Sequence, residues 1–486
     1  MLKIYFDAIK SFAQFYSIIF LINIIFSAAV VFFQRKKPTS TLLWVMAINF
    51  IPIVGIILYL LIGQDVSKSK MFDSKTQADR ITKNKYRDTI ENIQSREYKS
   101  SNAKTKEYKE IVKMFNNAEG EILYSENDVK IFNNGLEKFK ALFEDIKNAK
   151  ESLYIQYYIF KSDQLSSQFI DLLIEKAKEG LDVYLLVDGM GARHLKSSDR
   201  ERIRNAGVNF AVFFPGILPK INTHINYRNH RKIAIIDRKI GYVGGLNVGD
   251  EYVGNGKFGN WRDTHLRILG DAVNGLSWRF YLDYKFASKK DIKNFSTIYL
   301  KEKGNKDVSI VTSGPDTKAD SIRNGYEKLI TRAEKEIYIQ TPYFVPDEGL
   351  FKCLKVAALS GVEVNIMIPQ KKDHLFVHWA SLSYAGELLD WGVNVYMYQK
   401  GFLHTKIMIS DDYLSSVGTA NFDIRSFELN FEVNAFMFDY ELNQKLKKDF
   451  KNDLKDCKKI TKEIYEERGL FTKIREQISR LLSPLL

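Results

Sequence analysis

The sequence predicts an α/β protein of two lobes related by a pseudo-twofold axis, preceded by a two-helix transmembrane hairpin. Three observations carry that expectation: two long apolar runs near the amino terminus, a strand-and-helix order that occurs twice in the remainder, and a polar motif at the same place in each copy.

Residues Phe12 to Phe33 are almost wholly apolar and uncharged, and after Gln34-Arg35-Lys36-Lys37-Pro38 a second such run extends from about Thr41 to Ile62. Each is long enough to span the hydrocarbon core of a bilayer. A cleaved signal peptide would be shorter and would not be followed by a second span, so residues 1–64 read as a retained hairpin and the protein as a multi-pass protein of the cell membrane. Lys3, Lys10, Lys68, Lys70, Lys75 and Arg80 flank the hairpin, against Arg35, Lys36 and Lys37 in its turn. The positive-inside rule then tilts both tails, and the globular part with them, toward the cytoplasm. Residues 65–109 are rich in lysine, serine and asparagine and poor in large aliphatics, as expected of a polar linker.

The rest divides into two stretches of one plan, 110–305 and 306–486. Leu153 to Phe160 (LYIQYYIF) reads as a buried strand rich in β-branched and aromatic residues, and Ile337 to Phe344 (IYIQTPYF) repeats it, with Gln156 and Gln340 aligned. A helical stretch then ends at Gly180 in one copy and Gly361 in the other, each followed by a strand, Val183 to Val187 and Val364 to Ile368. A second helix-like segment reaches Gly207 and Gly392, followed by short strands at Phe210 to Phe213 and Asn394 to Tyr398. Duplicated α/β lobes of this kind pack about a pseudo-twofold axis with the functional cleft between them.

Each copy continues into H-x-K-x-x-x-x-D: His230, Lys232 and Asp237, then His404, Lys406 and Asp411. Asn247 and Asn421 follow their histidines by 17 residues, in Gly244-Gly245-Leu246-Asn247 and Gly418-Thr419-Ala420-Asn421. Histidine and lysine two apart on a strand share a face. Two copies brought together supply two imidazoles, two ammonium groups and two amides, a donor set suited to a tetrahedral phosphate and to the added negative charge of a five-coordinate transition state. One imidazole can attack phosphorus while the other protonates the leaving alkoxide, so no catalytic metal or other cofactor is required. His194, His224, His265, His374 and His378 lack such a repeat and read as structural or surface residues. Asp263-Thr264-His265 and Asp373-His374 have no matching cluster nearby in sequence, which argues against a metal site.

At these residues the sequence resembles the phospholipase D superfamily, whose signature is the duplicated H-x-K-x-x-x-x-D followed by G-x-x-N. The resemblance narrows to bacterial cardiolipin synthases through Arg35-Lys36-Lys37-Pro38, Pro52 to Gly63, Gly244 to Tyr252 (GGLNVGDEY), Trp261 to His265, Thr341 to Phe344, Arg425-Ser426, Asn430 to Glu432 and Ser483 to Leu486. It implies two phospholipase D-like lobes and a transfer between two phosphatidylglycerol molecules that gives cardiolipin and glycerol through a phosphatidyl-histidine. It further implies that an acid beyond each asparagine orients the histidine of its own lobe. Glu432, 28 residues after His404, fits; at the same offset the first lobe has Phe258, and Asp263 is the substitute. Thr419, where the first lobe has Gly245, is expected to add a hydroxyl to the phosphate site.

Lysine and arginine exceed the acids by 13. That favours an anionic partner, whether nucleic acid, an acidic membrane or a phosphate-bearing substrate. The hairpin argues against a nuclease, and the cardiolipin-synthase-like stretches argue against a hydrolytic phospholipase D or a phosphatidylserine synthase; the partners the resemblance implies are phosphatidylglycerol, as donor and acceptor, and an anionic membrane, not nucleic acid. A lipid-binding scaffold with a dead site is disfavoured because all six motif residues are present. Cys353 and Cys457 form neither a disulfide framework nor a metal motif. Leu470, Ile474, Ile478, Leu481 and Leu482 lie at helical spacing with Lys473, Arg475 and Arg480 among them; such a helix could lie in the membrane interface or pack on the globular core. Sequence leaves the oligomeric state open.

Overall fold

The computed structural model describes residues 2–33, 38–60, 72, 75–77, 79, 102–215, 226–298, 304–317 and 319–483. The amino-terminal helix Leu2–Phe33 contains a 19-residue apolar stretch, Gln14–Phe32, long and apolar enough to cross a membrane. The second apolar run departs from the single span expected over Thr41 to Ile62. It forms a helix at Pro38–Phe50 and a short one at Val54–Leu58, broken where Pro52 lacks an amide donor and Ile53 takes φ 67°. Thirteen residues rise only about 20 Å, short of the roughly 30 Å hydrocarbon core. Gly55 lets the chain fold back, since a Cβ there would stand 2.4 Å from the Ala47 carbonyl oxygen. Val30, Trp44, Ile48 and Tyr59 pack together across the turn.

Within the stretch expected as a linker, Phe72 and Lys75 are buried on the globular part. The Phe72 ring meets Tyr227 at 4.9 Å, and Lys75 pairs with Asp316 at 2.5 Å. Helices Ala103–Lys106 and Lys109–Glu119 then lead into the sheet. Residues 80–101 lie outside the described residues.

The first half contributes β1 (Leu123–Phe132), β2 (Ser152–Tyr157), β3 (Asp182–Asp188), β4 (Asn209–Phe213), β5 (Arg228–Asn229), β6 (Ile233–Ile236), β7 (Ile240–Gly244), β8 (Trp261–Arg262) and β9 (His265–Leu269). The second contributes β10 (Lys306–Ser313), β11 (Glu336–Gln340), β12 (Phe344–Val345), β13 (Glu363–Pro369), β14 (Asn394–Tyr398), β15 (Phe402–Leu403), β16 (Ile407–Ser410), β17 (Leu414–Gly418), β18 (Phe422–Asp423), β19 (Asn430–Phe438) and β20 (Cys457–Ile460). Sixteen of these strands form one sheet, ordered β20-β14-β13-β11-β16-β17-β19-β10-β1-β9-β7-β6-β2-β3-β4, with β5 joined to β19. In the first half β2 runs parallel to β3 and antiparallel to β6; in the second, β11 runs parallel to β13 and antiparallel to β16. The halves meet where β1 and β10 pair antiparallel.

Strands such as β2, β6 and β19 are buried along their whole length, which their run of aliphatic and aromatic residues permits. Helices cover both faces. One core is shared by the two halves, with Phe280 and Tyr281 of helix Val273–Ser288 and Leu446 and Phe450 of helix Tyr440–Asp453 in one cluster. The opposite faces have separate cores, around Phe139 and Phe169 in the first half and Leu329 and Leu354 in the second.

Candidate active site

Two short strands bring the motifs of the two halves together. β5, just before His230, pairs with the start of β19, and β15, just before His404, pairs with β8. Each histidine is thereby tied to the opposite half: the His230 amide donates to the Phe431 carbonyl at 3.0 Å and the His404 amide to the Arg262 carbonyl at 2.8 Å. Regular strand begins only at Ile233 and Ile407, because the chain before those points leaves its own sheet to cross over.

The crossing decides which acid holds which imidazole. Nδ1 of His230 lies 2.9 and 3.0 Å from the two carboxylate oxygens of Glu432, and Nδ1 of His404 lies 2.7 Å from Oδ2 of Asp263. The expectation that each acid orients the histidine of its own half is corrected: the same four residues meet with the partners exchanged. Asp263 and Glu432 are structural counterparts. In the ladders Gly244 stands opposite His265 and Gly418 opposite Asn434, which puts each acid two residues earlier on its strand. The turn around Asp250–Val253 lengthens the first half, so the 28-residue offset falls on Phe258.

Lys232 and Lys406 are buried and fold back on their own motifs, Lys232 donating to the His230 carbonyl at 2.6 Å and Lys406 to the His404 carbonyl. Burial lowers the Lys232 ammonium to about 7 and that of Lys406 to about 8. Both imidazoles are lowered to about 4: for His230 burial outweighs the pull of Glu432, and for His404 burial and Lys406 outweigh that of Asp263. Burial pushes the Glu432 carboxyl up, but His230, Lys232 and Thr419 together leave it below its ordinary value.

Asp237 and Asp411 do not reach the histidines, contrary to the catalytic role expected of them. They sit past the far ends of β6 and β16, about 20 Å along the extended chain from their histidines. Asp237 accepts from the amides of Lys150, Glu151 and Ser152 at 2.7 to 3.2 Å. Asp411 accepts from those of Glu334, Lys335 and Glu336 at 2.8 to 3.1 Å. Both have left-handed backbones, φ 51° and 45°. They fasten the turn that leads into β2 or β11, and so hold the sheet on which the motif is mounted.

Thr419 is also displaced from its expected role. Its hydroxyl exchanges hydrogen bonds with the backbone of Val433 and supports Glu432, and it does not line the cavity. Gly245 plays the matching part, since a Cβ there would lie 2.0 Å from Oδ1 of Asp263. Asn247 and Asn421 do face the cavity; Asn247 accepts from the Ile159 amide at 3.1 Å, and Oδ1 of Asn421 is buried without a partner among the described residues.

His230 and His404 share one cavity of about 640 Å³. Its lining includes Lys161, Arg193, Arg228, Lys257 and Arg425 against Glu251, Asp373 and Asp423, a positive balance suited to an anionic group. Sequence reasoning passed over several contributors. Tyr158 stands edge-on to His230 at 5.0 Å and Trp261 lies 5.2 Å from His404. Tyr158 follows the aligned Gln156 by two residues, which was the available signal. Tyr343 donates to Asp373, and Asp423, raised to about 6 by burial, caps the turn at Ser426. His265 points the other way into the core, near Tyr242, and burial pushes it well below its ordinary value. Among the described residues no three His, Cys, Asp or Glu side chains are grouped as metal ligands.

The chain matches the family model described as "Cardiolipin synthase, PLD-like domain" over residues 142–256 and 326–454, and that described as "Phospholipase_D-nuclease N-terminal" over 17–64. It is 46% identical over 469 residues to a cardiolipin synthase of Oceanobacillus iheyensis, covering 96% of this chain and 98% of that one. The chain belongs to the bacterial cardiolipin synthase family of the phospholipase D superfamily. It is 44% identical to the major cardiolipin synthase ClsA of Bacillus subtilis, with 97% and 98% coverage. Among solved structures it resembles a phosphatidylserine synthase of Haemophilus influenzae, with a TM-score of 0.60 at 16% identity over 78% of this chain and all of that one, a likeness of fold alone. Membership makes the protein a phosphatidyltransferase with phospholipid substrates, and the apolar amino-terminal helix associates it with the membrane.

Proposed function

We propose that the protein transfers the phosphatidyl group of one phosphatidylglycerol to a hydroxyl of a second, giving cardiolipin and glycerol through a phosphatidyl-histidine. The observation that carries this reading is the pair of imidazoles, each held at Nδ1 by a carboxylate of the opposite half and both facing one cavity. A carboxylate at Nδ1 fixes the tautomer that leaves the lone pair on Nε2. His230 attacks phosphorus through Nε2, the bond from phosphorus to the glycerol oxygen breaks, and His404 gives that oxygen a proton. In the return step His404 takes the proton from the hydroxyl of the second phosphatidylglycerol as its oxygen attacks phosphorus and the nitrogen–phosphorus bond breaks.

His404 must first be charged. The anionic phosphodiester entering beside it favours the protonated imidazole, against the burial and the Lys406 charge that disfavour it. Lys232 and Lys406 add positive charge behind the two imidazoles, and Asn247 and Asn421 offer amides to the phosphoryl oxygens. Asp263 and Glu432 orient the histidines, and Asp237 and Asp411 hold the frame.

In the same reading residues 110–305 and 306–486 are lobes about a pseudo-twofold axis, a relation supported by their repeated strand pairing. Residues 1–64 anchor the protein in the membrane through the span Gln14–Phe32, with the broken second apolar run folded against it, 65–109 connect this anchor to the lobes, and the lobes face the cytoplasm. Incubating the purified protein with phosphatidylglycerol vesicles alone, followed by lipid mass spectrometry, tests the reaction. Cardiolipin with an equal amount of glycerol is expected; phosphatidic acid would make the enzyme a hydrolase, and unchanged lipid would refute the reading.

A further inference from the structure

The helix Leu470–Leu482 is mounted inside out. Its polar residues Glu476 and Ser479 are buried, each 1% exposed, while Leu470, Phe471, Ile474, Ile478 and Leu481 are between 44% and 78% exposed against the described residues. An amphipathic helix packed on a core buries its apolar stripe. This one turns that stripe outward and is fastened through polar contacts. Arg468 donates to Glu476 at 2.7 Å, Arg480 pairs with Glu387, and Ser483 and Tyr384 are hydrogen-bonded at 3.1 Å. Glu387 and Tyr384 belong to helix Leu375–Leu388, whose first two residues, Leu375 and Phe376, are 62% and 54% exposed and add to the apolar surface.

Two further observations identify what this face meets. It carries a basic fringe: Lys473 and Arg475 on the helix itself, and Lys372 beside helix Leu375–Leu388, with Arg475 and Lys372 both over the ring of Trp379. An apolar stripe edged by cations matches the acyl region and headgroups of an anionic bilayer. The face is also continuous with the site, because Ser483 at the end of one helix and His374 and Val377 at the start of the other line the cavity that holds His230 and His404.

We propose that helix Leu470–Leu482, together with the first turn of helix Leu375–Leu388, docks in the surface of an anionic bilayer and seats the mouth of the active-site cavity against it. The amino-terminal helix tethers the protein; this second contact sets its orientation, so that a phospholipid reaches the histidines without leaving the membrane. The docking does not depend on which reaction the site performs.

The test uses the full chain in mixed phosphatidylglycerol and phosphatidylcholine vesicles. An environment-sensitive fluorophore is attached at Phe471→Cys or Ile478→Cys in a Cys353→Ser, Cys457→Ser background, with exposed Lys140→Cys as the control. Lipids brominated in their acyl chains should quench the label at 471 and 478 at least twofold while aqueous iodide quenches only the label at 140. Iodide access at 471 and 478 equal to that at 140 overturns the proposal. So does protection there without quenching by bromolipid, which would mean that another protein segment or a second copy covers the face. In a separate arm, Phe471→Asp with Ile478→Asp should lower cardiolipin formation from vesicles at least tenfold and from dispersed short-chain phosphatidylglycerol less than twofold, with an unchanged melting temperature. Equal loss on both substrates, or no loss on either, contradicts the docking role.

Discussion

Removing the carboxylate of Asp263 should disable His404, 141 residues away in the chain, and leave the hydrogen bond of His230 intact. The same holds in the other direction for Glu432 and His230, 202 residues apart. Each is a buried hydrogen bond to a charged group, worth on the order of 1.5 to 3 kcal/mol. Double-substitution cycles followed by unfolding in detergent measure it. Asp263→Asn combined with His404→Phe should show coupling of about that size, as should Glu432→Gln combined with His230→Phe. Asp263→Asn combined with His230→Phe should couple clearly less, because those two make no hydrogen bond and meet only through the charges of Lys232 and Lys406. Coupling of Asp263 to His230 as large as to His404 would refute the crossed arrangement and restore the pairing within each half.

Asp237→Ala should destabilise the protein by about 1 to 3 kcal/mol, chiefly through the stranded amide of buried Ser152, since the amides of exposed Lys150 and Glu151 can turn to water, while activity per folded molecule stays within a few-fold. Thermal unfolding and active-site-normalised rates separate the two effects. Gly245→Ala should behave as an active-site lesion despite its small size, at least tenfold slower, because its methyl group takes the place of an Asp263 oxygen; a rate within twofold would contradict the packing. Both imidazoles are lowered to about 4 from about 6.5, so the unfolded chain binds more protons between those values. Stability is therefore lost as pH falls from 6.5 to 4, by up to about 3 kcal/mol for each histidine, and His230→Phe with His404→Phe should flatten that slope in melting curves.

The repeat was readable because it is written in residue type: β2 and β11 share the same aromatic and β-branched run, and each copy then carries the same polar spacing. What the repeat cannot reveal is which half a crossing strand joins. β5 and β15 are only two residues long, and nothing in Arg228–Asn229 or Phe402–Leu403 distinguishes a strand of its own sheet from one added to the neighbour. The exchanged acids follow from that. Pattern likewise gives no direction to a side chain, so the motif aspartates stood with the histidines in sequence while their carboxylates serve backbone amides at the other end of the strand. Thr419 was a reasonable phosphate ligand until Val433 and Glu432 took its hydroxyl. The break at Pro52 was visible as a residue, but its effect depends on Gly55 letting the chain fold back against Ala47. The carboxyl-terminal helix had a clear period, yet the period alone does not say which stripe faces the protein.

The covalent step on a named histidine is the centre of the proposed chemistry, and trapping it is the most direct measurement. A phosphatidyl donor with a good leaving group needs little protonation, so a His404→Ala protein should still load His230 and be unable to activate the second alcohol. Peptide mass spectrometry after an acid-free quench should then find the phosphatidyl group on His230 in near-stoichiometric amount. An adduct on His404 in His230→Ala protein, and never on His230, would reverse the two roles. Cardiolipin formation with no adduct on either histidine would contradict the two-step mechanism itself.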